Sequence, residues 1–581
     1  MRISEALKLI QTAPRDAEPF RVALVCGYTP LHVQTFLAAH LQLVYSQRRI
    51  TIVPSLYGDV AGSLESLPDK AIDAVAFSLE WEDLDPRLGF RSSGQWGTEA
   101  VADILANIPS RLQRLAAALA RIPAGVPIAF APPSMPLPPL FYTPGFRSSV
   151  AELELQQYIA EFKKHLAAGA HVAVISSQRL AEDSPEECRY DMKSDLAVGL
   201  PYSLQHADVL AGLLAKNLAP PPPKKGIITD LDDTLWSGIV GEVGPEAVTW
   251  ELASHSHPHG LYQKLLASLA SEGILVAIAS KNDPAVVERA LQRKDLLLSA
   301  NLAFPIEVHW SAKSASVARI LKTWNIAADS VVFVDDSPLE LAEVAAAHPG
   351  IQTVLFPTGD VTRGLQMLRH LRDLCGKGQL SHDDIIRRDS VKRSAQFHNQ
   401  LASADTAPES FWQQLTSVLT LDFDCADSTR VYELVNKSNQ FNLNGIRYTG
   451  SEWRALVSAN NSVLVSVAYD DKFGPLGIIS VFAGKVHGSR MVVSAWVLSC
   501  RAFGRRIEHA ILQQLFERLN LKEVEFNFVA TTRNGPLQDF LTGMLGSKPA
   551  GQVVLSREQF DRNCPVLYHE IREFRGAEAN V

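Results

Sequence analysis

The sequence predicts a multidomain α/β protein: two parallel sheets covered by helices, then a mixed α+β unit. Three observations predict it. Short continuous apolar runs alternate with amphipathic stretches as far as about residue 370. Beyond residue 410 the apolar runs lengthen and alternate. Two breaks separate these regions, and 581 residues exceed what one hydrophobic core holds.

In the first region, 1–218, Phe20 to Cys26, Arg49 to Val53, Ala74 to Ser78, Val126 to Phe130 and His171 to Ser176 read as buried strands. Helical segments such as Val101 to Ile122 and Val150 to Ala168 fall between them. Continuous apolar strands alternating with helices imply a parallel sheet covered on both faces. The run Pro220-Pro221-Pro222-Pro223-Lys224-Lys225 then acts as a stiff spacer, since proline fixes φ and lacks an amide donor. The second region, 224–370, repeats the pattern with strands Gly226 to Asp230, Ile274 to Ser280 and Ser330 to Asp335. A charge-dense stretch follows, giving a helical or irregular linker at 371–409. The third region, 410–578, has strands Ser462 to Tyr469, Gly477 to Ala483, Met491 to Leu498 and Glu523 to Val529, with a helix from Arg505 to Leu519.

Lys and Arg number 55 against 63 Asp and Glu, a formal charge of −8, which argues against a general nucleic-acid binder. The six cysteines form no CxxC pair, so neither a disulfide framework nor a structural zinc site is expected, and the cytoplasm is the expected compartment. No run reaches the ~18 apolar residues of a membrane span. Glu5 and Lys8 interrupt any apolar leader, so no signal peptide is expected.

The strongest chemical signal is Thr229-Asp230-Leu231-Asp232-Asp233-Thr234. A hydrophobic strand delivers Asp230 and Asp232 at its tip, where functional groups of open parallel sheets gather. Two carboxylates this close repel unless a cation neutralises them, so a hard divalent ion such as Mg2+ is expected. One carboxylate then attacks phosphorus and the other moves the proton. Thr234 adds a hydroxyl. At later strand tips, Ser280, Lys281 and Asn282 can bind phosphoryl oxygens, Lys313 supplies positive charge, and Asp335 and Asp336 complete the metal shell. Positioned charge of this kind suits phosphoryl transfer.

These parts, in this order, resemble the haloacid dehalogenase (HAD) phosphotransferase superfamily. The resemblance implies a Rossmann-like doubly wound domain with Asp230 as nucleophile, Asp232 as general acid/base and Asp335 or Asp336 as metal ligand beside the Asp230–Asp232 pair. Neither the stretch from Thr234 to Ser280 nor that from Ser280 to Lys313 accommodates a large folded cap, since stable domains start near ~50 residues.

In the third region a strand enters Leu498-Ser499-Cys500-Arg501-Ala502-Phe503-Gly504-Arg505-Arg506 and then a helix. A thiol near a helix start beside arginines favours thiolate, whereas a buried structural cysteine is the commoner fate. The segment resembles the acyl-CoA-binding turn of GNAT-type acyltransferases, with Arg506 in place of its last small residue. Blocks including Leu235-Trp236-Ser237-Gly238, Ala279-Ser280-Lys281-Asn282-Asp283, Asp335-Asp336-Ser337-Pro338, Val435-Asn436-Lys437-Ser438-Asn439-Gln440-Phe441-Asn442-Leu443 and Phe473-Gly474-Pro475-Leu476-Gly477 together resemble the FkbH-like family, which joins a HAD domain to a GNAT-like one. That resemblance implies dephosphorylation of D-1,3-bisphosphoglycerate, a glyceryl thioester on Cys500, and transfer to an acyl carrier protein in polyketide biosynthesis. Two alternatives stay open: a HAD-type phosphatase whose third region binds substrate or carrier, and a CoA-dependent acyltransferase.

The first region resembles the SGNH/flavodoxin-like sheet found ahead of such HAD domains. Val25-Cys26-Gly27-Tyr28-Thr29 stands where a nucleophilic serine would end the first strand, and Ser203-Leu204-Gln205-His206 replaces the terminal DxxH, so a non-catalytic scaffold or docking module is expected. Weaker features are the alternating His255, His257 and His259, better read as a loop than a metal trio because Pro258 breaks a strand. The polar set Lys437, Asn439, Gln440, Asn442 and Arg447 could line a cleft, and Arg501, Arg505 and Arg506 could dock an acidic carrier.

Overall fold

The computed structural model describes every residue except 15, 93–97, 139–141, 144–146, 170, 379, 404–408, 427, 439, 532 and 575–581. Among the described residues two compact units form: Met1–Pro221 with Thr449–Ser451, and Pro222–Tyr448 with Glu452–Val581.

The first unit is built on a five-stranded parallel sheet in the order Arg49–Pro54, Pro19–Val25, Ala74–Ser78, Ile128–Ala131, Val172–Val174. Successive side chains of a strand point to opposite faces. Val22 and Leu24 accordingly pack with Phe36, Leu37, Leu210 and Leu214 from helices Leu31–Val44 and Leu204–Leu218. Ala23 and Val25 pack on the other face with Ile104, Ile108, Leu155 and Phe162 from helices Thr98–Ala120 and Val150–Ala167.

The second unit contains another five-stranded parallel sheet, ordered Ala303–Val308, Leu275–Ser280, Gly226–Thr229, Val331–Asp335, Gln352–Leu355. Its central three strands are wholly buried, which is why their sequences read as unbroken apolar runs. The two edge strands are only part-buried and mixed in composition, and the apolar pattern does not announce them. Helix Lys313–Trp324 covers one face through Val317, Ile320 and Trp324. The Trp324 ring lies so close to the central strand that a Cβ at Gly226 would come within 2.5 Å of it. Helices His257–Ser271 and Val361–Cys375 cover the opposite face.

The remaining sheet is mixed and eight-stranded: Val553–Ser556, Glu523–Phe526, Arg490–Leu498, Gly477–His487, Ser462–Asp470, Val418–Asp422, Glu570–Glu573, with Phe441–Asn442 added on the end of Arg490–Leu498. Arg490–Leu498 and Glu523–Phe526 run parallel only from Arg490 to Val493. Beyond that point the space between them is taken by the chain itself. Phe441 and Asn442 pair with Leu498 and Val497, the Leu443 amide donates to the Trp496 carbonyl, and the Asn444 amide bridges the Ser494 and Asn527 carbonyls.

Between the two sheets of this unit, the stretch after residue 375 contains the 22-residue helix His382–Ser403. Its start presses on the edge of the parallel sheet at Gly273. A Cβ there would fall 1.7 Å from the Asp384 carbonyl oxygen, and φ is +84°, so only glycine fits. Further along, Ser390 accepts from Arg501 Nη1 at 3.1 Å and Ser394 donates to the Arg501 carbonyl at 3.2 Å. The helix thus ties the Cys500 turn to the parallel sheet.

Candidate active site at the strand tips

Asp230 follows the last residue of the central strand, and Asp335 ends the neighbouring one. Lys313, first residue of its helix, reaches between them: its ammonium lies 2.9 Å from Asp230 Oδ2 and 2.6 Å from Asp335 Oδ2, and it also pairs with Glu340. Glu340 stands in the first turn of helix Pro338–Ala347, capped by Ser337, and its other oxygen meets Lys281 Nζ at 2.9 Å. Sequence reasoning missed Glu340. Its only signal is the Ser337-Pro338-Leu339-Glu340 pattern, which reads as a helix cap.

Burial dominates the electrostatics here. It pushes the Asp230 carboxyl up to about 7, with Asp335 adding and Lys313 opposing. It pushes Asp335 up to about 6 against the pull of Lys313. Burial works against the Lys313 charge, but Asp230 and Asp335 outweigh it and hold the ammonium above its ordinary range. Glu340 also feels burial, yet Lys313 and Lys281 keep its carboxyl below the usual value.

The two oxygens of Asp230 differ. Oδ2 is paired with Lys313, while Oδ1 is buried and has no hydrogen-bond partner among the described residues. An acceptor buried unpaired costs about 1–3 kcal/mol, so such an atom marks a place where something else binds or reacts.

Asp232 points elsewhere. Its Oδ1 accepts from the Trp236 indole at 2.9 Å and the Val240 amide at 3.1 Å, and its Oδ2 from Asn282 Nδ2 at 2.9 Å. Asn282 also donates to Ser280 Oγ at 3.0 Å. Thr234 is wholly buried, with its hydroxyl 3.4 Å from Asp336 Oδ1. Asp336 is pushed up by burial and then by the like charge of Asp230.

A divalent cation fits this donor set on one side. Asp230, Asp335 and Glu340 bring carboxylate oxygens within 4.8 Å of one another, but the Lys313 ammonium already occupies their midst. The donors that Lys313 does not pair with among the described residues are Asp230 Oδ1 and Asp336, hard oxygen donors whose like charges oppose one another. The Asp232 side chain, held by Trp236, Val240 and Asn282, is not among them.

Cys500 is not brought to this site. It opens a three-residue turn, Cys500–Ala502, and the long helix begins only at Ile507. Its carbonyl accepts from Asn325 Nδ2 at 2.6 Å, at the far end of the helix that starts with Lys313. Its electrostatic neighbour is Lys225, directly before the central strand whose other end carries Asp230. Five residues of strand put the two ends roughly 16 Å apart. The sulfur and the carboxylates therefore sit at opposite edges of one sheet.

The three arginines expected to dock a carrier are engaged within the unit. Arg501 is buried against the 382–403 helix, and Arg505, wholly buried, pairs with Asp471 at 3.2 Å and stacks on Phe397. Arg506 lies over Trp412 and donates to the Val566 carbonyl. Of the three histidines only His259 is buried, against Phe356 with Nδ1 3.0 Å from the Thr234 carbonyl oxygen; they form no metal cluster among the described residues. Asn442 and Arg447 make backbone contacts of their own, and Asn439 lies outside the described residues.

In the first unit Cys26 is wholly buried and its thiol is pushed up to about 12 by burial, and His206 is enclosed between Ser134 and Ser184.

No protein-family profile matches the sequence, and no curated protein does. Among solved structures, the chain is similar to the N-terminal part of a Bacteroides fragilis protein containing a phosphatase domain complexed with Mg: 17% identity, 65% of this chain and 100% of that one covered, TM-score 0.53. A Corynebacterium glutamicum protein of uncharacterised role is 18% identical over 26% of this chain and 98% of its own, with a TM-score of 0.19. A Mesorhizobium loti protein described as a candidate HAD-like phosphatase is 14% identical over 27% of this chain and 91% of its own, at 0.21. The last two likenesses are too distant to argue from. The first establishes a shared fold: about two-thirds of this chain is folded as a phosphatase-domain protein is.

Proposed function

We propose that the chain is a Mg2+-dependent phosphatase and glyceryltransferase. Its substrate is D-1,3-bisphosphoglycerate, its acyl intermediate a thioester on Cys500, and its acceptor the phosphopantetheine thiol of an acyl carrier protein in polyketide biosynthesis. The observation that carries the phosphatase half is the buried Asp230 Oδ1, without a hydrogen-bond partner among the described residues, beside a lysine whose charge opposes the rise that burial imposes on the carboxyl.

Asp230 Oδ1 attacks the phosphorus of the 3-phosphate, an unactivated ester, and an aspartyl-phosphate forms as the ester oxygen departs. In the general acid/base role that the family resemblance gives it, Asp232 gives that oxygen its proton and takes one from the water that later releases phosphate, which requires one of its contacts with Trp236, Val240 and Asn282 to open. Lys313 screens the nucleophile from its anionic substrate. A magnesium ion held by Asp230 and Asp336 would offset the negative charge that builds on the phosphoryl oxygens. Asn282, Ser280 and Lys281 orient groups at the rim.

The transfer half uses the acyl phosphate, an already activated carboxyl that a thiol displaces without ATP. The CoA-dependent alternative loses support from the Phe441–Asn444 segment, which fills the space where the Arg490–Leu498 and Glu523–Phe526 strands part.

The test incubates the protein with 1,3-bisphosphoglycerate, magnesium and holo-carrier, then weighs the carrier. A gain of one glyceryl group is expected; release of free glycerate with an unmodified carrier leaves only a phosphatase. In the Asp230→Asn variant phosphate release from the 3-position stops. Continued release at the wild-type rate removes Asp230 from the chemistry.

A further inference from the structure

The seam between the amino-terminal edge of the parallel sheet and the Cys500 turn carries more positive charge than its acids offset. Lys225 is part-exposed as a residue, yet its ammonium is enclosed by protein, and burial lowers its proton affinity. It makes no ion pair with a carboxylate among the described residues. Arg387 and the Cys500 turn meet the same edge of the sheet: the Leu275 amide donates to the Lys225 carbonyl, Arg387 Nη1 donates to the Gly273 carbonyl at 3.1 Å, and Asn325, next to the Trp324 that packs on Gly226, donates to the Cys500 carbonyl at 2.6 Å. Asp329 and Arg430 also act on the Lys225 charge. The acids nearby are already engaged. Asp329 pairs with Arg533 at 3.1 Å, Asp384 is shared by Arg387 and Lys377, and Glu433 is shared by Arg430 at 3.5 Å and Lys437 at 3.2 Å. Burial and then Arg387 push the Lys377 ammonium down to about 8. Two cations on each of Asp384 and Glu433, beside an enclosed ammonium without a carboxylate among the described residues, leave an excess of positive charge, which an anion relieves.

A second observation points the same way. Phe441 pairs with Leu498, so Gln440, just before Phe441, lies at the end of the pairing from which the chain runs on through Ser499 to Cys500. The Gln440 Oε1 atom is buried and lacks a hydrogen-bond partner among the described residues. An orphaned acceptor suits a hydroxyl or amide N–H of a ligand held at Cys500.

We infer that this seam is an anion site, separate from the Asp230 site, in which Lys225 with Arg387 and Arg430 seats the phosphate of a hydroxyacyl phosphate against the Cys500 sulfur. The anion site stands on its own, and the acyl donor rests on the function proposed above. In the reaction the Cys500 Sγ–acyl carbon bond forms and the bond from that carbon to the phosphate oxygen breaks. The phosphate leaves with the electron pair, and the thiol proton passes to it. Lys225 is thus a positioning residue for the leaving group, and each half-reaction has its own edge of the sheet.

The experiment follows iodoacetamide alkylation of Cys500 in the full chain by peptide mass spectrometry. Inorganic phosphate is compared with chloride at equal ionic strength. At phosphate several times its dissociation constant, alkylation of wild type slows about 5-fold or more, as protection grows as 1 + [L]/Kd. Asp230→Asn keeps that protection, which separates the two sites. Lys225→Met loses it and Lys225→Arg restores most of it. Equal rates in phosphate and chloride for wild type, or undiminished protection in Lys225→Met, overturn the inference, and the wild-type comparison decides even if Lys225→Met does not fold. The two readings fail separately. Protection without a Cys500 acyl adduct from the acyl phosphate keeps the anion site and removes the transfer; an adduct without protection does the reverse.

Discussion

Both parallel sheets end in buried carboxylates, and the two clusters are finished differently. Glu80, two residues past the Ala74–Ser78 strand, accepts from the Ser134 and Met135 amides at 3.1 Å, the Ser134 hydroxyl at 2.8 Å and the Tyr202 hydroxyl at 2.7 Å. Ser134 in turn lies 3.1 Å from His206 Nε2, whose Nδ1 is 2.9 Å from Ser184. Every oxygen of Glu80 is answered by a neutral donor. Asp230 has a cation on one oxygen and no hydrogen-bond partner among the described residues on the other. A network closed on itself fixes a fold, whereas one left open on a single buried atom is ready for chemistry.

Matched carboxylate-to-amide exchanges should separate the two most widely. Asp230→Asn is expected to lower phosphate release at least about 1,000-fold, the scale of losing a nucleophile, while melting no lower than wild type. Glu80→Gln sets an N–H2 against donors and should cost about 2 kcal/mol of stability with phosphate release unchanged. Release assays and denaturation of both variants check this, and a Glu80→Gln chain that folds normally but fails to release phosphate breaks the contrast.

A smaller effect lies in the pH dependence of the first unit. Burial pushes Asp83 up to about 8, with Glu82 and Glu80 adding and Arg91 opposing. Burial, then Arg189, pushes His206 down to about 3. Folded Asp83 keeps a proton that the unfolded chain has lost, so stability falls as pH rises from about 6.5 to about 8, by roughly 1.4 kcal/mol per unit. His206 has the opposite sign: the unfolded chain gains a proton below about 6.5, which cancels Asp83 until both forms of Asp83 are protonated. Net loss on the acid side therefore appears only below about pH 4. Hydrogen exchange in peptides spanning 74–78 should show the alkaline loss, and Asp83→Asn should abolish it. An unchanged alkaline slope in that variant would falsify the assignment.

The smallest expected change is Ser184→Ala, which takes the Ser184 hydroxyl from His206 Nδ1 and should lower the first unit's stability by about 1 kcal/mol, measured by denaturant unfolding.

The strand tips were legible in the sequence because buried parallel strands are unbroken apolar runs, and a run that stops at Thr229-Asp230 announces its own end. The edge strands Ala303–Val308 and Gln352–Leu355 were not, since part-burial mixes polar residues into them. Glu340 stayed hidden behind its resemblance to a helix cap. The charges around Cys500 misled for a physical reason. Arginine is ordinarily exposed, and nothing local reveals that Arg505 meets Asp471 or that Arg501 meets Ser390. Lys225 and Cys500 are 275 positions apart in the chain, and no local pattern joins them.

On the function proposed above, the central strand also works as insulation. A thioester made at its amino-terminal edge would rest beyond the range of any water that a carboxylate prepares at the other end, so the group that splits one bond has no access to the bond that must last. The sheet's length, set by a handful of apolar residues, would then be a timer as much as a scaffold, keeping such a cargo intact until its acceptor arrived.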